Sequence, residues 1–302
     1  MPRTPHTYRR STKRPARRYT GGAGLGAAPK LAGFAAGLAV LFGGAALAGG
    51  AVGPLRDDTA APEPHGGDMA AMPAPAVRGL AVSDHGLTLR VARTDVRPGR
   101  PFTLAFRIVD RDGRTVRDFD VEHTKRMHLI VVRRDMTGFQ HLHPTQGADG
   151  AWSVPVTLRD AGSYRVLADF SVDGKPRTLG DDLVVDGVVR SQELPPPVER
   201  TEVDGMRVSV AGGTAKAGTE SELGFTVTRD GRPVEIEKYL GAKGHLVALR
   251  QGDLAFLHVH PDESSLRFMA TFPTAGSYRL FLQFKTDDGR LHTAAFTQEV
   301  TR

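Results

Sequence analysis

Six of the eleven histidines in this 302-residue chain fall into two copies of one spacing, H-x12-H-x-H. His128, His141 and His143 align with His245, His258 and His260, each offset by 117 positions. Phe139 with Phe256, Arg133 with Arg250, and Pro144 with Pro261 keep the same register. Imidazole is the commonest protein ligand for zinc and copper, so a duplicated three-histidine set points first to a metal ion. Three nitrogens on one ion would leave one or two coordination positions for solvent, a further side chain or a transferred ligand.

The spacing also says what must hold these rings. His141 and His143 are two residues apart, so in a strand they leave one face together with Phe139, while Leu142 leaves the other. In the second copy Phe256, His258 and His260 share a face, and Leu257 and Val259 oppose it. The first histidine of each set precedes the pair across a turn signal, Arg134-Asp135-Met136-Thr137-Gly138 or Gln251-Gly252-Asp253. A hairpin about that turn sets His128 opposite His141 or His143, and His245 opposite His258 or His260. Opposed residues have Cβ atoms about 4.5–5.5 Å apart, close enough for rings to converge. Each copy is therefore expected to form its own site.

Asp169 and Met127 are candidate fourth ligands for the first site, with Met136 a further soft donor nearby. Gln283, Gly244 and Asp253 stand at the matching places in the second. The first site thus reads as the better one for copper, and the second as a plain three-nitrogen site. His85, His123 and His292 have no counterparts and read as surface or structural residues. A competing reading keeps the six histidines for packing, as shapers of a domain interface.

Strands dominate the rest of the pattern. Short alternating runs at Leu87–Val91, Phe102–Ile108, His128–Val132, Trp152–Leu158 and Tyr164–Phe170 are separated by Gly, Asp and Pro clusters. The series restarts beyond Pro195-Pro196-Pro197 with Met206–Val210, Leu223–Val227, His245–Leu249, Phe268–Phe272 and Tyr278–Phe284. This spacing predicts an all-β chain, with two tandem immunoglobulin-like β-sandwich domains at 79–189 and 200–302, joined by a linker at 190–199. Ala-Gly-Ser-Tyr occurs at 161–164 and at 275–278, and a tyrosine there suits the corner that pins one sheet to the other. Trp152 is expected in the first core.

The net charge of +6 is uneven. Residues 1–30 hold eight Lys or Arg and no acid, so the remainder carries 32 basic against 34 acidic residues. A basic excess confined to a tail argues against a nucleic-acid partner. Residues 31–54 contain no charge and are long enough to cross a bilayer of roughly 30 Å. With a basic flank on their N-terminal side they read as a transmembrane anchor or signal helix, placing the sandwiches outside the cytoplasm or, after cleavage, in the secreted fraction. Residues 55–78, rich in Pro, Ala and Gly, read as a flexible linker. The chain has no cysteine, which excludes thiolate metal sites and cysteine nucleophiles.

The Met-His-Leu and Gly-His-Leu segments at 127–129 and 244–246, each followed by His-x-His-Pro, resemble those of exported, membrane-tethered bacterial proteins labelled heavy-metal-associated or copper-related. The resemblance implies extracytoplasmic metal handling and supplies no catalytic residues. The expectation is a non-enzymatic protein that binds or sequesters copper or zinc at the cell membrane. The alternatives are an interaction module of immunoglobulin-like domains at the cell surface and a copper-dependent redox enzyme.

Overall fold

A computed structural model describes residues 77–92, 96–257 and 259–302, and of His260 and Pro261 only the backbone. All of these residues belong to one compact unit, Ala71–Arg302. The basic tail, the apolar segment 31–54, nearly all of the linker and His258 lie outside the described residues. Among the described residues there is no helix long and apolar enough to cross a membrane.

The chain is all-β. Four antiparallel-dominated sheets enclose two apolar cores. In the first half, one sheet runs Ser83–Asp84, Leu87–Val91, Pro101–Val109, Trp152–Thr157, Thr145–Gln146. Facing it is Gln140–Leu142, His128–Arg133, Gly162–Val172, Lys175–Val185. Leu104, Phe106, Ile108, Leu129, Val131 and Val166 fill the space between. Trp152 joins them, edge-on to Phe119 at 5.3 Å.

The second half repeats the plan. Arg200–Val203, Met206–Ala211, Glu220–Arg229, Arg267–Thr271 and His260–Pro261 form one sheet. Ala215–Lys216, Leu291–Thr301, Gly276–Thr286, Gly244–Arg250 and Phe256–Leu257 form the other, with Ile236–Glu237 added beside Gly276–Thr286. Both tyrosine corners close as the motif demands. The Tyr164 hydroxyl donates to the Asp160 carbonyl at 2.9 Å, and that of Tyr278 to the Thr274 carbonyl at 3.0 Å.

The strands that hold the first histidine of each set, His128–Arg133 and Gly244–Arg250, are apolar on both faces, and the reason is a third core. His128–Arg133 turns Leu129 and Val131 into its own sandwich. Its alternate residues Ile130 and Val132 instead meet Val247, Leu249, Leu254, Phe256 and Phe281 of the second half. Phe139 stacks on Phe281 with ring centroids 3.9 Å apart. The two sandwiches therefore dock sheet to sheet, through the faces that carry His128, His141 and His245.

Candidate metal centre

The hairpin register pairs Leu129 with Leu142 and Ile130 with His141, which brings His128 beside His143. Leu142 leans on the first core and Phe139 on the interface, so alternation sends His141 and His143 to the interface side. His128, His141 and His143 converge there, each offering a ligand atom within 4.8 Å of the others. Their ring centroids are 4.9–5.4 Å apart. His128 is buried and the other two are half-buried.

The outer nitrogens settle which inner ones are bare. His128 Nε2 lies 3.2 Å from the Glu122 carbonyl, which can only accept, so this nitrogen carries the hydrogen. His141 Nδ1 lies 2.8 Å from Gln283 Oε1. The Gln283 amide nitrogen is spoken for, donating to Thr293 Oγ1 at 3.3 Å, so Oε1 accepts and His141 Nδ1 carries the hydrogen. A neutral imidazole has one N–H. His128 Nδ1 and His141 Nε2 are therefore lone pairs, and they face each other at 3.2 Å. His143 Nε2 is buried without a hydrogen-bond partner.

Electrostatics keep the rings neutral. Burial brings His128 down from 6.5 to about 4; the Glu122 carbonyl opposes this, and His245, His123 and Lys125 add repulsion. Burial and then the His128, Lys125 and His245 charges bring His143 to about 3. His141 is held well below its ordinary value by burial and then by its two neighbours, against the Gln283 bond.

Asp169, proposed from sequence as a fourth ligand, pairs in register with His128 and lines the same small cavity of about 50 Å³. It lies outside the three-histidine group. Its carboxylate accepts from Thr178 Oγ1 at 2.6 Å, and burial raises its pKa to about 7. Met127 is not a ligand: strand alternation turns it away from His128 into the first sandwich core, where it is almost wholly buried. Met136 lies in the interface core. The expected soft-donor character of the first site is absent among the described residues, and the set is imidazole only.

Of the second trio, His245 is described in full, His258 lies outside the described residues, and the backbone of His260 pairs with Met269. His245 does not stand in a separate place. Its ring centroid is 6.4 Å from that of His141, across the interface. It repeats the anchoring of its counterpart: His245 Nε2 bonds the Tyr239 carbonyl at 2.7 Å, six residues upstream, as His128 bonds Glu122. Sequence comparison of side chains misses this shared device because the partner is backbone and the residues differ, Glu against Tyr. His123, read from sequence as a bystander, edges the group at 5.7 Å from His245 and 6.3 Å from His128. A left-handed backbone, φ 46° at His123 and 66° at Thr124, turns it there. His85 is exposed, and His292 is buried elsewhere in the second sandwich.

The duplication has a family behind it. A family described as Domain of unknown function (DUF8832) matches residues 81–187 and again 201–302. The chain belongs to that family. No curated protein matches the chain. Similar solved structures include the Escherichia coli adhesin FdeC, at 14% identity and TM-score 0.25, covering 74% of this chain and 66% of that one. Salmonella alpha-2-macroglobulin reacted with methylamine is similar at 14% identity and TM-score 0.27, over 78% of this chain and 16% of that one. Clostridium thermocellum CbhA fibronectin(III)-like modules are similar at 11% and 0.22, over 71% and 94%. This chain therefore spans less than two thirds of the adhesin and a small part of the macroglobulin.

Proposed function

We propose that this family member binds a zinc or copper(II) ion outside the cytoplasm, at His128, His141 and His143, as a non-enzymatic metal-binding protein on two immunoglobulin-like sandwiches. The observation that carries the reading is the pair of bare nitrogens, His128 Nδ1 and His141 Nε2, facing at 3.2 Å. Two lone pairs at that distance repel unless a cation sits between them. Two nitrogens bound to a tetrahedral zinc at ~2.0–2.1 Å stand about 3.3 Å apart, so this pair already has ligand spacing. His143 brings a third buried nitrogen with no other partner, and closure on the ion draws it inward. Hydrogen bonds from the outer nitrogens to a carbonyl and an amide oxygen are what orient histidine ligands in metal sites. An all-nitrogen set favours zinc or copper(II) over copper(I), which prefers thiolate or thioether sulfur. A membrane anchor or signal at residues 31–54 would deliver the site to the exported side.

The second reading is an interaction module whose histidines shape the interface between sandwiches. The bond from His141 to Gln283 across that interface supports it. Metal analysis separates the two. Purified protein exposed to zinc or copper(II) and then desalted is expected to hold one ion per chain, and His141→Ala with His143→Ala is expected to hold none. Wild-type protein that retains no ion sinks the metal reading and leaves the interface reading.

A further inference from the structure

Gln283 belongs to the second sandwich and its partner His141 to the first, 142 positions apart. It sits mid-strand in Gly276–Thr286, buried, opposite His245 on one side and Thr293 on the other. Thr293 fixes which way the amide points. The first sandwich thus supplies the trio of nitrogens, but the tautomer of His141 is imposed from the second. Without an acceptor at Nδ1, the proton of a neutral His141 is free to move to Nε2, and the nitrogen that faces His128 ceases to be a ligand.

We propose that Gln283 is a positioning residue that makes ion binding conditional on docking of the two sandwiches. This rests on the metal reading above and specifies how that site is controlled. The surroundings fit such a coupling. The interface core of Ile130, Val132, Val247, Leu249 and Phe281 adjoins the site, and Phe139, two residues before His141, stacks on Phe281, two residues before Gln283. Separation of the sheets would therefore remove the stack and the hydrogen bond together. Linkage then runs both ways: docking strengthens ion binding, and a bound ion holds the sandwiches together by the same factor.

The place equivalent to Gln283 in the first sandwich is Asp169, opposite His128 as Gln283 is opposite His245. Each sandwich therefore presents one buried side chain with an acceptor oxygen, beside its first histidine, towards the other sandwich. The acceptor from the second sandwich meets His141 of the first trio.

The test is zinc titration of the full-length protein against a chromophoric chelator, with thermal unfolding of the metal-free forms alongside. Gln283→Leu keeps the volume and removes the acceptor; removal of an orienting partner weakens affinity roughly ten- to hundred-fold. Gln283→Glu restores an acceptor and is expected to bind within a few-fold of wild type. Thr293→Val, at an exposed position, loosens the amide alone and is expected to fall between the two. A general packing role would not distinguish leucine from glutamate in this order, and metal-free unfolding midpoints identify a variant that has lost its fold. In the wild type, zinc is expected to slow amide hydrogen exchange at both Ile130–Val132 and Val247–Leu249. In Gln283→Leu it is expected to do so less. Zinc binding by the wild type with equal affinity in Gln283→Leu overturns the coupling and leaves the metal site standing. No zinc binding by the wild type overturns both.

Discussion

His292 and the His128–His141–His143 group are both buried imidazole environments in one protein, and they are built in opposite ways. His292 spends both nitrogens: Nδ1 meets Asp204 Oδ2 at 2.6 Å, Nε2 meets Thr286 Oγ1 at 2.9 Å, and the ring stacks on Phe284. His128 and His141 each spend one outward and turn the other inward, towards another ring. The contrast teaches that burial and histidine identity do not make a ligand. What makes one is a nitrogen left over after the hydrogen bonds are assigned, aimed at others like it.

The two environments should differ most in ion binding. His141→Ala with His143→Ala is expected to abolish retention of zinc measured by elemental analysis, whereas His292→Ala is expected to bind zinc within about two-fold of wild type. Equal retention in all three proteins would erase the distinction. Next in size is Phe281→Ala. It empties a buried aromatic site between the sandwiches and is expected to cost about 3–5 kcal/mol in denaturant unfolding and to weaken zinc binding. A smaller effect belongs to His292→Ala itself, which removes the ring's hydrogen bonds to Thr286 and Asp204 while Thr286 keeps its bond to Asp288. It is expected to cost about 1–3 kcal/mol in the same unfolding experiment.

Acid acts on the same buried rings. His128 and His143 are neutral in the fold down to about 4 and about 3, while unfolded imidazole takes protons near 6.5. Between pH 6.5 and about 3 the unfolded chain binds more protons, so these rings make the metal-free fold less stable as pH falls through that window. Asp169 works the other way. Its carboxyl, raised from 3.8 to about 7, favours the fold more as pH drops from 7 towards 4. Replacing Asp169 with Asn is therefore expected to steepen the loss of unfolding midpoint between pH 6.5 and 4. An unchanged slope would show that Asp169 titrates as an ordinary carboxylate.

Much of this was legible in the residues. Alternation predicted the strands, the turn signals predicted a hairpin with His128 opposite His141 or His143, of which the register selects His143, and Ala-Gly-Ser-Tyr predicted both tyrosine corners. The meeting of the two repeats entered only as the competing reading, in which the histidines shape a domain interface; the main reading gave each repeat a site of its own. Hydrophobic residues on both faces of His128–Arg133 and Gly244–Arg250 were its signal, because a strand of a solvent-facing sheet alternates with polar residues and these do not. With that face assigned to a partner sheet, the histidines on it had to approach the other repeat. Met127 was misplaced for a simpler reason: adjacent strand residues point to opposite faces, so it cannot share a site with His128. The orienting groups stayed hidden because one is a backbone carbonyl and the other, Gln283, lies 142 residues from its ring.

X-ray absorption on the zinc-loaded protein reads the ligand shell itself. Three coordinating imidazoles give a shell of nitrogen ligands near 2.0–2.1 Å with the outer-shell scattering of three rings, reduced in His141→Ala with His143→Ala. A first shell with no imidazole scattering, or one that the double substitution leaves untouched, would contradict ion binding by this trio.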